Sequence, residues 1–178
     1  MQNKLRTFLG SEMAHDGRAI ANWVLDAAEK DGINLSNLSL QKVLFFCHAW
    51  HLVETGEPLI HHRFEAWQHG PVLQFLYRQF KSFGSDPIRS RATGLNRKTG
   101  TQEVIRAEIP SDVQERLRRV VRFYGKLQPW DLVDLSHEAG SPWDQVWHFE
   151  GKVNPGMKIE NEAILEYYSK ASPHYRVQ

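Results

Sequence analysis

The chain has 178 residues, which favours one domain, or one domain with tails, and is long enough to bury a substantial core. Hydrophobic residues make up 41%, with six Trp and nine Phe, a composition typical of a globular protein that excludes a disordered chain. The formal net charge of +1 excludes a protein whose overall charge is built to bind nucleic acid.

The charges are unevenly distributed along the sequence. Residues 85–126 hold ten Lys or Arg against five Asp or Glu, whereas residues 127–170 hold three against eight. A basic middle and an acidic C-terminal third can form a surface with two faces. The more ordinary interpretation is that these charges solvate the outer faces of helices.

Cys47 is the only cysteine, and it ends the longest uninterrupted apolar run, which begins at Val43. An apolar setting predicts a buried, unreactive thiol. With no second cysteine to form a disulfide, the chain fits a reducing cytoplasm. The run is too short to cross a bilayer, and Met1–Arg6 has no long apolar segment of the secretory type. We therefore expect a cytoplasmic protein with no membrane partner.

The first predicted helix is amphipathic. Apolar residues recur at helical spacing from residue 19 to residue 28. Asp16 can cap its start, and Asp31 with Gly32 ends it.

The second predicted helix covers residues 38–55, and its apolar residues lie nearly all round the helix axis. This pattern predicts a central and mostly buried helix. Ser39 is the expected N-cap, and Gly56 is the expected C-terminal stop.

A long connector, residues 58–71, carries an aromatic stretch that ends in a Gly-Pro break. Phe64–Trp67 is predicted as a short strand, with Trp67 filling part of the core. Pro71 is predicted at the first position of a helix that runs to Phe83, because a helix start does not need the missing N–H. Gly84 and Pro87 prevent its continuation.

The remaining chain is predicted as a small surface hairpin followed by helices. Residues 88–109 hold two turn signals and then alternating apolar residues, which favours an exposed, poorly packed β hairpin. Ser111 with Gln114 forms a candidate capping box for the next helix. Shorter helices are predicted to begin at Pro129 and Ser141, and a last one covers residues 159–168.

We therefore expect a mainly α fold, a compact single domain with a small β hairpin excursion at about residues 88–109. The domain is expected at residues 13–171. Residues 1–12 form an expected N-terminal tail, and residues 172–178 form an expected C-terminal tail.

Nine histidines raise the hypothesis of a metal-dependent hydrolase. His48 and His51, with His69 or His137, are the candidate ligands. Their spacing differs from the His-Glu-x-x-His pattern of zinc proteases, and no cysteine pair accompanies them. No Gly-x-Ser-x-Gly elbow or glycine-rich phosphate loop is present either. The sequence therefore predicts no catalytic residues, no cofactor and no metal.

A nucleic-acid-binding regulator is the alternative function. Residues 89–122 combine a basic hairpin with an arginine-rich helix, which can form a phosphate-binding face. No helix-turn-helix or zinc-finger pattern accompanies this region, so nucleic acid is not the expected partner.

Five motifs in chain order resemble the Panacea-domain family, which includes phage-associated GepA-like proteins and SocA-like antitoxins. They run from the second helix to the last and span most of the chain. The motifs are Leu40–Ala49, Thr55–Leu59, Phe64–Val72, Ser136–Trp143 and the closing Tyr167–Tyr168 pair.

The resemblance implies an antitoxin that binds its partner toxin directly and is not an enzyme. SocA-like members act as proteolytic adaptors that deliver a SocB-like toxin, an inhibitor of the replication sliding clamp, to the ClpXP protease. The resemblance supplies no catalytic residues. Four positions carry the family signature and are candidate partner contacts: Trp67, Gly70, Pro71 and Trp143.

The C-terminal residues are similar to the tethers with which some adaptors dock on ClpX. The relevant residues are Tyr175, Arg176 and Val177. A passive terminus is the alternative. The sequence leaves open which toxin is bound, and whether neutralisation works by occlusion or by degradation.

Overall fold

The computed structural model describes residues 14–174, and it is mainly helical as the sequence predicts. Within this part of the chain, seven α-helices surround a mostly buried core, and two small antiparallel hairpins complete the fold. The helices are α1 Gly17–Lys30, α2 Asn37–Thr55, α3 Gln74–Phe80, α4 Ser111–Tyr124, α5 Pro129–Ser136, α6 Pro142–Trp147 and α7 Asn161–Lys170. The strands are β1 Glu65–Trp67, β2 Gly70–Val72, β3 Thr93–Leu95 and β4 Gln102–Val104. Short 3₁₀ turns follow α3 at Lys81–Phe83 and α6 at Phe149–Gly151.

Helix α2 is the centre of the fold, and almost every residue from Asn37 to Leu52 is buried. Its C-terminus is as predicted, because Gly56 adopts the left-handed conformation with φ of 78°. The predicted N-cap, Ser39, is wrong, because the helix begins about one turn earlier. Ser36 is the cap, and its hydroxyl accepts a hydrogen bond from the backbone N–H of Ser39, which is already inside the helix.

An aromatic cluster joins α2 to α4 and α7. Phe46 stacks on Tyr124 with ring centroids 4.1 Å apart, and the Trp50 indole N–H donates to the Tyr124 hydroxyl at 2.9 Å. Tyr168 packs edge-on against Phe45 and Trp50. Buried aromatic pairs of this kind stabilise beyond their burial, so Tyr168, together with the buried Ile164, holds the last helix to the core.

The Gly-Pro break does not start a helix. Gly70–Val72 forms β2 and pairs antiparallel with β1, placing Pro71 opposite Ala66. Helix α3 begins at Gln74 instead, after Leu73. Pro71 fits this strand because its fixed φ suits extended backbone, and the missing N–H costs little where few ladder bonds are made.

The second hairpin, β3–β4, was expected to be poorly packed, and this is wrong at its base. Ala92 is fully buried, and the Asn22 side chain donates to the carbonyls of Ala92 and Ile105. The Ala92 N–H donates back to Asn22 Oδ1 at 2.6 Å. Strand β4 is exposed, as is Leu95 at the end of β3, whereas Gly94 in β3 is buried.

The predicted capping box of α4 does not form. Ser111 is the first helical residue, and Pro110 precedes it at the N-cap. The Gln114 amide donates to the carbonyl of Ile109 instead. The helix turns one apolar face to the core, and all members of this face are buried: Val113, Leu117, Val120, Val121 and Tyr124.

Two smaller expectations concern the thiol and the bilayer. Cys47 is fully buried as predicted, and burial raises its pKa, which leaves the thiol protonated. Across residues 14–174, none of the helices combines the length and apolar character that a membrane span requires.

Candidate functional site

The four signature residues meet at one place, the β1–β2 hairpin. Trp67 ends β1, and Gly70 and Pro71 lie in β2. Trp143 comes from α6, and its indole N–H donates to the Trp67 carbonyl at 2.8 Å. The hairpin is therefore fixed to α6 by a hydrogen bond across 76 positions of sequence.

Gly70 is required by both its conformation and its surroundings. Its φ of 97° lies in the region that side chains rarely adopt. A Cβ atom here would lie 2.5 Å from Ser136 Oγ and 2.6 Å from Lys42 Cε. The hairpin backbone can thus approach α2 and α5 only because this position lacks a side chain.

Lys42 reaches the same place from inside the core. The residue is completely buried, and its Nζ donates to the Pro71 carbonyl at 2.9 Å. Burial lowers the pKa of Lys42 to about 7, because desolvation penalises the charged ammonium. The neighbouring Ser136 hydroxyl donates to the Val133 carbonyl, and both side chains are closed off from solvent.

His137 completes this cluster. Its ring stacks on Trp143 with centroids 3.5 Å apart and planes 7° from parallel. Burial, and to a lesser extent the charges of Lys42 and His69, lower the pKa of His137 to about 4. Among the described residues its buried Nε2 atom has no hydrogen-bond partner. A neutral ring stacked on an indole supports the packing of α5 against α6.

Three of the four signature residues therefore serve the structure. Gly70, Pro71 and Trp143 are buried. The prediction that Trp67 fills the core is wrong, since its ring is only half-buried. The ring meets Tyr77 edge-on, and its indole N–H donates to the Glu65 carboxylate at 2.9 Å.

Trp67 faces an open pocket of about 380 Å³. Trp147, Pro155 and Gln74 also line it. We call residues 149–157, which pass along this pocket, the apolar loop. The loop is held against β1, because the Ala66 N–H donates to the Met157 carbonyl at 2.7 Å.

The apolar loop exposes three large hydrophobic side chains. Phe149, Val153 and Met157 are 55, 58 and 46% exposed. Trp130 is also exposed, on the other side of the hairpin turn, where its ring meets His69 edge-on. A surface of this kind is typical of a protein-binding site.

Sequence reasoning missed the apolar loop. The signal that marks it is the combination of Phe, Val and Met with Gly, Asn and Pro in residues 149–157. Turn residues prevent a helix or strand long enough to bury these side chains, so exposure follows.

The candidate metal ligands are not brought together. His48 accepts the Ile60 N–H at Nδ1, and its Nε2 lies 2.9 Å from Asn161 Oδ1, so both ring nitrogens are engaged. His51 lies one turn further along α2 and is also buried. Burial lowers the pKa of His48 to about 4. Residues 14–174 contain no group of His, Cys, Asp and Glu side chains that could hold a metal ion.

Much of the basic charge in residues 89–122 is paired within the chain. Arg91 and Arg106 both bind Asp26, and Arg122 binds Asp31 at 2.8 Å. Arg116 binds Asp112 in addition. Arginines held by carboxylates have less charge to offer to phosphates.

The candidate tether residues Tyr175, Arg176 and Val177 lie outside the described residues. The chain that leads to them is anchored, because His174 Nδ1 lies 3.0 Å from the Tyr124 hydroxyl.

Comparison with known proteins gives a consistent result. The family described as "Antitoxin SocA-like, Panacea domain" matches residues 40–144, which hold all four signature residues. A curated relative, "Antitoxin SocA" of Caulobacter vibrioides, is 36% identical over 154 residues. The match covers 86% of this chain and 82% of that protein. No solved structure shows significant similarity to the chain.

The requirement for glycine at position 70 can be tested by substitution. Gly70→Ala is expected to lower the free energy of unfolding by at least about 3 kcal/mol, because it adds backbone strain and a clash with buried atoms. Gly140→Ala is the matched control. Gly140 has φ of 75° but open space around its Cα, so its substitution should cost only about 1 kcal/mol. Urea unfolding measures both, and equal losses would contradict the close approach.

The buried amine of Lys42 should make stability depend on pH. The folded pKa of Lys42, about 7, lies below the ordinary lysine value of 10.5 that applies in the unfolded chain, so between these values the unfolded state binds more protons and stability rises with pH. From pH 7 to pH 8.5, the wild-type protein should gain about 1.5 kcal/mol relative to Lys42→Met. Urea unfolding at both pH values measures this difference. An identical pH dependence in the two proteins would show that Lys42 does not titrate in this range.

Proposed function

The chain belongs to the SocA-like antitoxin family with the Panacea domain, and on that premise we propose that it neutralises a partner toxin by direct protein contact. The observation that carries the proposal is the 36% identity to an antitoxin over most of both chains. Under this proposal the protein acts by binding, without catalysis and without a cofactor.

The surface we assign to the toxin is the apolar loop with the pocket beside Trp67. It combines exposed hydrophobic side chains with two half-buried indoles, Trp67 and Trp147. Aromatic residues in partly closed pockets are the usual anchors of protein interfaces. The backbone of the loop is fixed to β1 at two points around Ala66, which limits the entropy lost on binding.

We further propose that the protein is a cytoplasmic adaptor that delivers a SocB-like toxin to ClpXP. Such an adaptor needs one surface for the toxin and another for the protease. The family resemblance and the sequence of Tyr175, Arg176 and Val177 support this division of roles.

The toxin surface can be tested by charging the apolar loop. Val153→Asp with Met157→Asp should weaken toxin binding by roughly tenfold or more, because desolvating two carboxylates opposes apolar contact. The measurement is rescue and co-purification on co-expression with the toxin encoded by the neighbouring reading frame. Both side chains are exposed, so the fold should persist.

Leu95→Asp is the matched control, since Leu95 is equally exposed but lies on the β3–β4 hairpin. It should bind the toxin as the wild type does. If both variants bind normally, the toxin contacts another surface. If the wild type neither rescues nor co-purifies with a partner, the proposed function itself is wrong.

The protease tether can be tested separately by deleting residues 175–178. This deletion keeps His174 and its contact with Tyr124. Toxin co-purification should be unchanged, while the half-life of the toxin in cells with active ClpXP should lengthen severalfold. Unchanged turnover would show that these residues are not a tether, and neutralisation without any turnover would favour occlusion.

A further inference from the structure

A second groove lies between α4 and α5, and its chemistry differs from that of the apolar loop. The groove has a volume of about 530 Å³. Its floor is formed by three half-buried apolar side chains, Phe123, Leu127 and Leu135. Its rim carries the carboxylates of Asp131, Asp134 and Glu138, and the imidazole of His174 lies beside Glu138. We call this feature the acidic groove.

Two of the rim carboxylates are open. Asp131 and Asp134 are exposed, and within residues 14–174 neither makes an ion pair or a side-chain hydrogen bond. Glu138 is engaged, because the Tyr167 hydroxyl donates to it at 2.9 Å and His174 Nε2 lies 3.9 Å from its other oxygen. Asp26 and Asp31, in contrast, are both bound by arginines.

The arrangement selects one kind of occupant. The rim repels phosphates, so it disfavours nucleic acid and anionic lipid surfaces. The apolar floor favours a side chain such as Leu or Phe, and the open carboxylates favour Lys or Arg beside it. We infer that the acidic groove binds a basic, amphipathic segment of a partner protein.

A second copy of this chain is the competing occupant. Arg91, Arg106 and Arg122 already bind carboxylates of their own chain, and breaking such pairs to form others gains little. Arg97 and Lys98 are exposed on the β3–β4 turn and stay available, so occupation by a second copy would make the protein dimerise. Analytical ultracentrifugation should show a monomer at the concentrations of the peptide assay.

Short labelled peptides can test the groove without any toxin. The probes are a peptide of alternating Leu and Arg, a peptide of alternating Ser and Arg, and a peptide of alternating Leu and Glu. Fluorescence polarisation should show that the Leu/Arg peptide binds most tightly. The Ser/Arg peptide lacks the apolar contact, and the Leu/Glu peptide is repelled by the rim.

Two double variants separate the groove from the overall charge. Asp131→Asn with Asp134→Asn removes the open carboxylates and should weaken binding of the Leu/Arg peptide roughly fivefold. Glu57→Gln with Glu162→Gln makes the same change in net charge at exposed positions outside the groove lining and the apolar loop, and should leave the affinity within a factor of two.

Three results would overturn the inference. Equal weakening by both double variants would show only general attraction to an acidic protein. Equal binding of the Ser/Arg peptide would show that the apolar floor is not used. Tighter peptide binding after deletion of residues 175–178 would show that the chain's own C-terminal segment is the occupant.

Discussion

The fold depends on burying the polar side chains of one central helix. Helix α2 carries Gln41, Lys42 and His48 into the core, where each must find a partner because an unpaired buried polar group is costly. Gln41 accepts the Leu73 N–H, Lys42 donates to Pro71, and His48 bonds to Asn161 and Ile60. These partners lie in β2, in the connectors on either side of the β1–β2 hairpin, and at the start of α7. The hydrogen bonds that the buried polar side chains of α2 require therefore fix the position of the β1–β2 hairpin.

The sequence predicts the helices well and the hairpin badly, for a physical reason. Helical spacing of apolar residues is a local pattern, so the inner face of α4 and the buried character of α2 could be read directly. Pro71 satisfies the local rules for a helix start and for an extended strand equally. The choice is made by tertiary contacts with Lys42 and Ala66, which no local pattern contains. Ser36 and Ser39 pose the same problem, since either can cap.

The number of charged residues in a stretch of sequence likewise does not show which of them are paired in the fold. The basic middle of the chain suggested a phosphate-binding face, but Arg91, Arg106 and Arg122 pair with carboxylates of α1 and its C-cap that are more than sixty positions away in sequence. Their role is to hold the second hairpin and α4 against α1. The acidic third has fewer such partners, so part of its charge stays open around α5. An excess of charge in the sequence therefore reflects structural ion pairs in the basic region and unpaired surface charge in the acidic region.

The signature residues and the residues of the proposed contact surfaces differ in how much the stability of the fold depends on them. Gly70 and Trp143 close the core around the hairpin, so changing them alters the fold before it can alter a partner. The exposed side chains of the apolar loop support no buried contact, and they can be exchanged at little cost to stability. Under the proposed function, a scaffold of this design meets toxins of different shape by changing only its surface. The signature motif then positions the surface that we assign to the partner, and the exposed residues around it determine which partner binds.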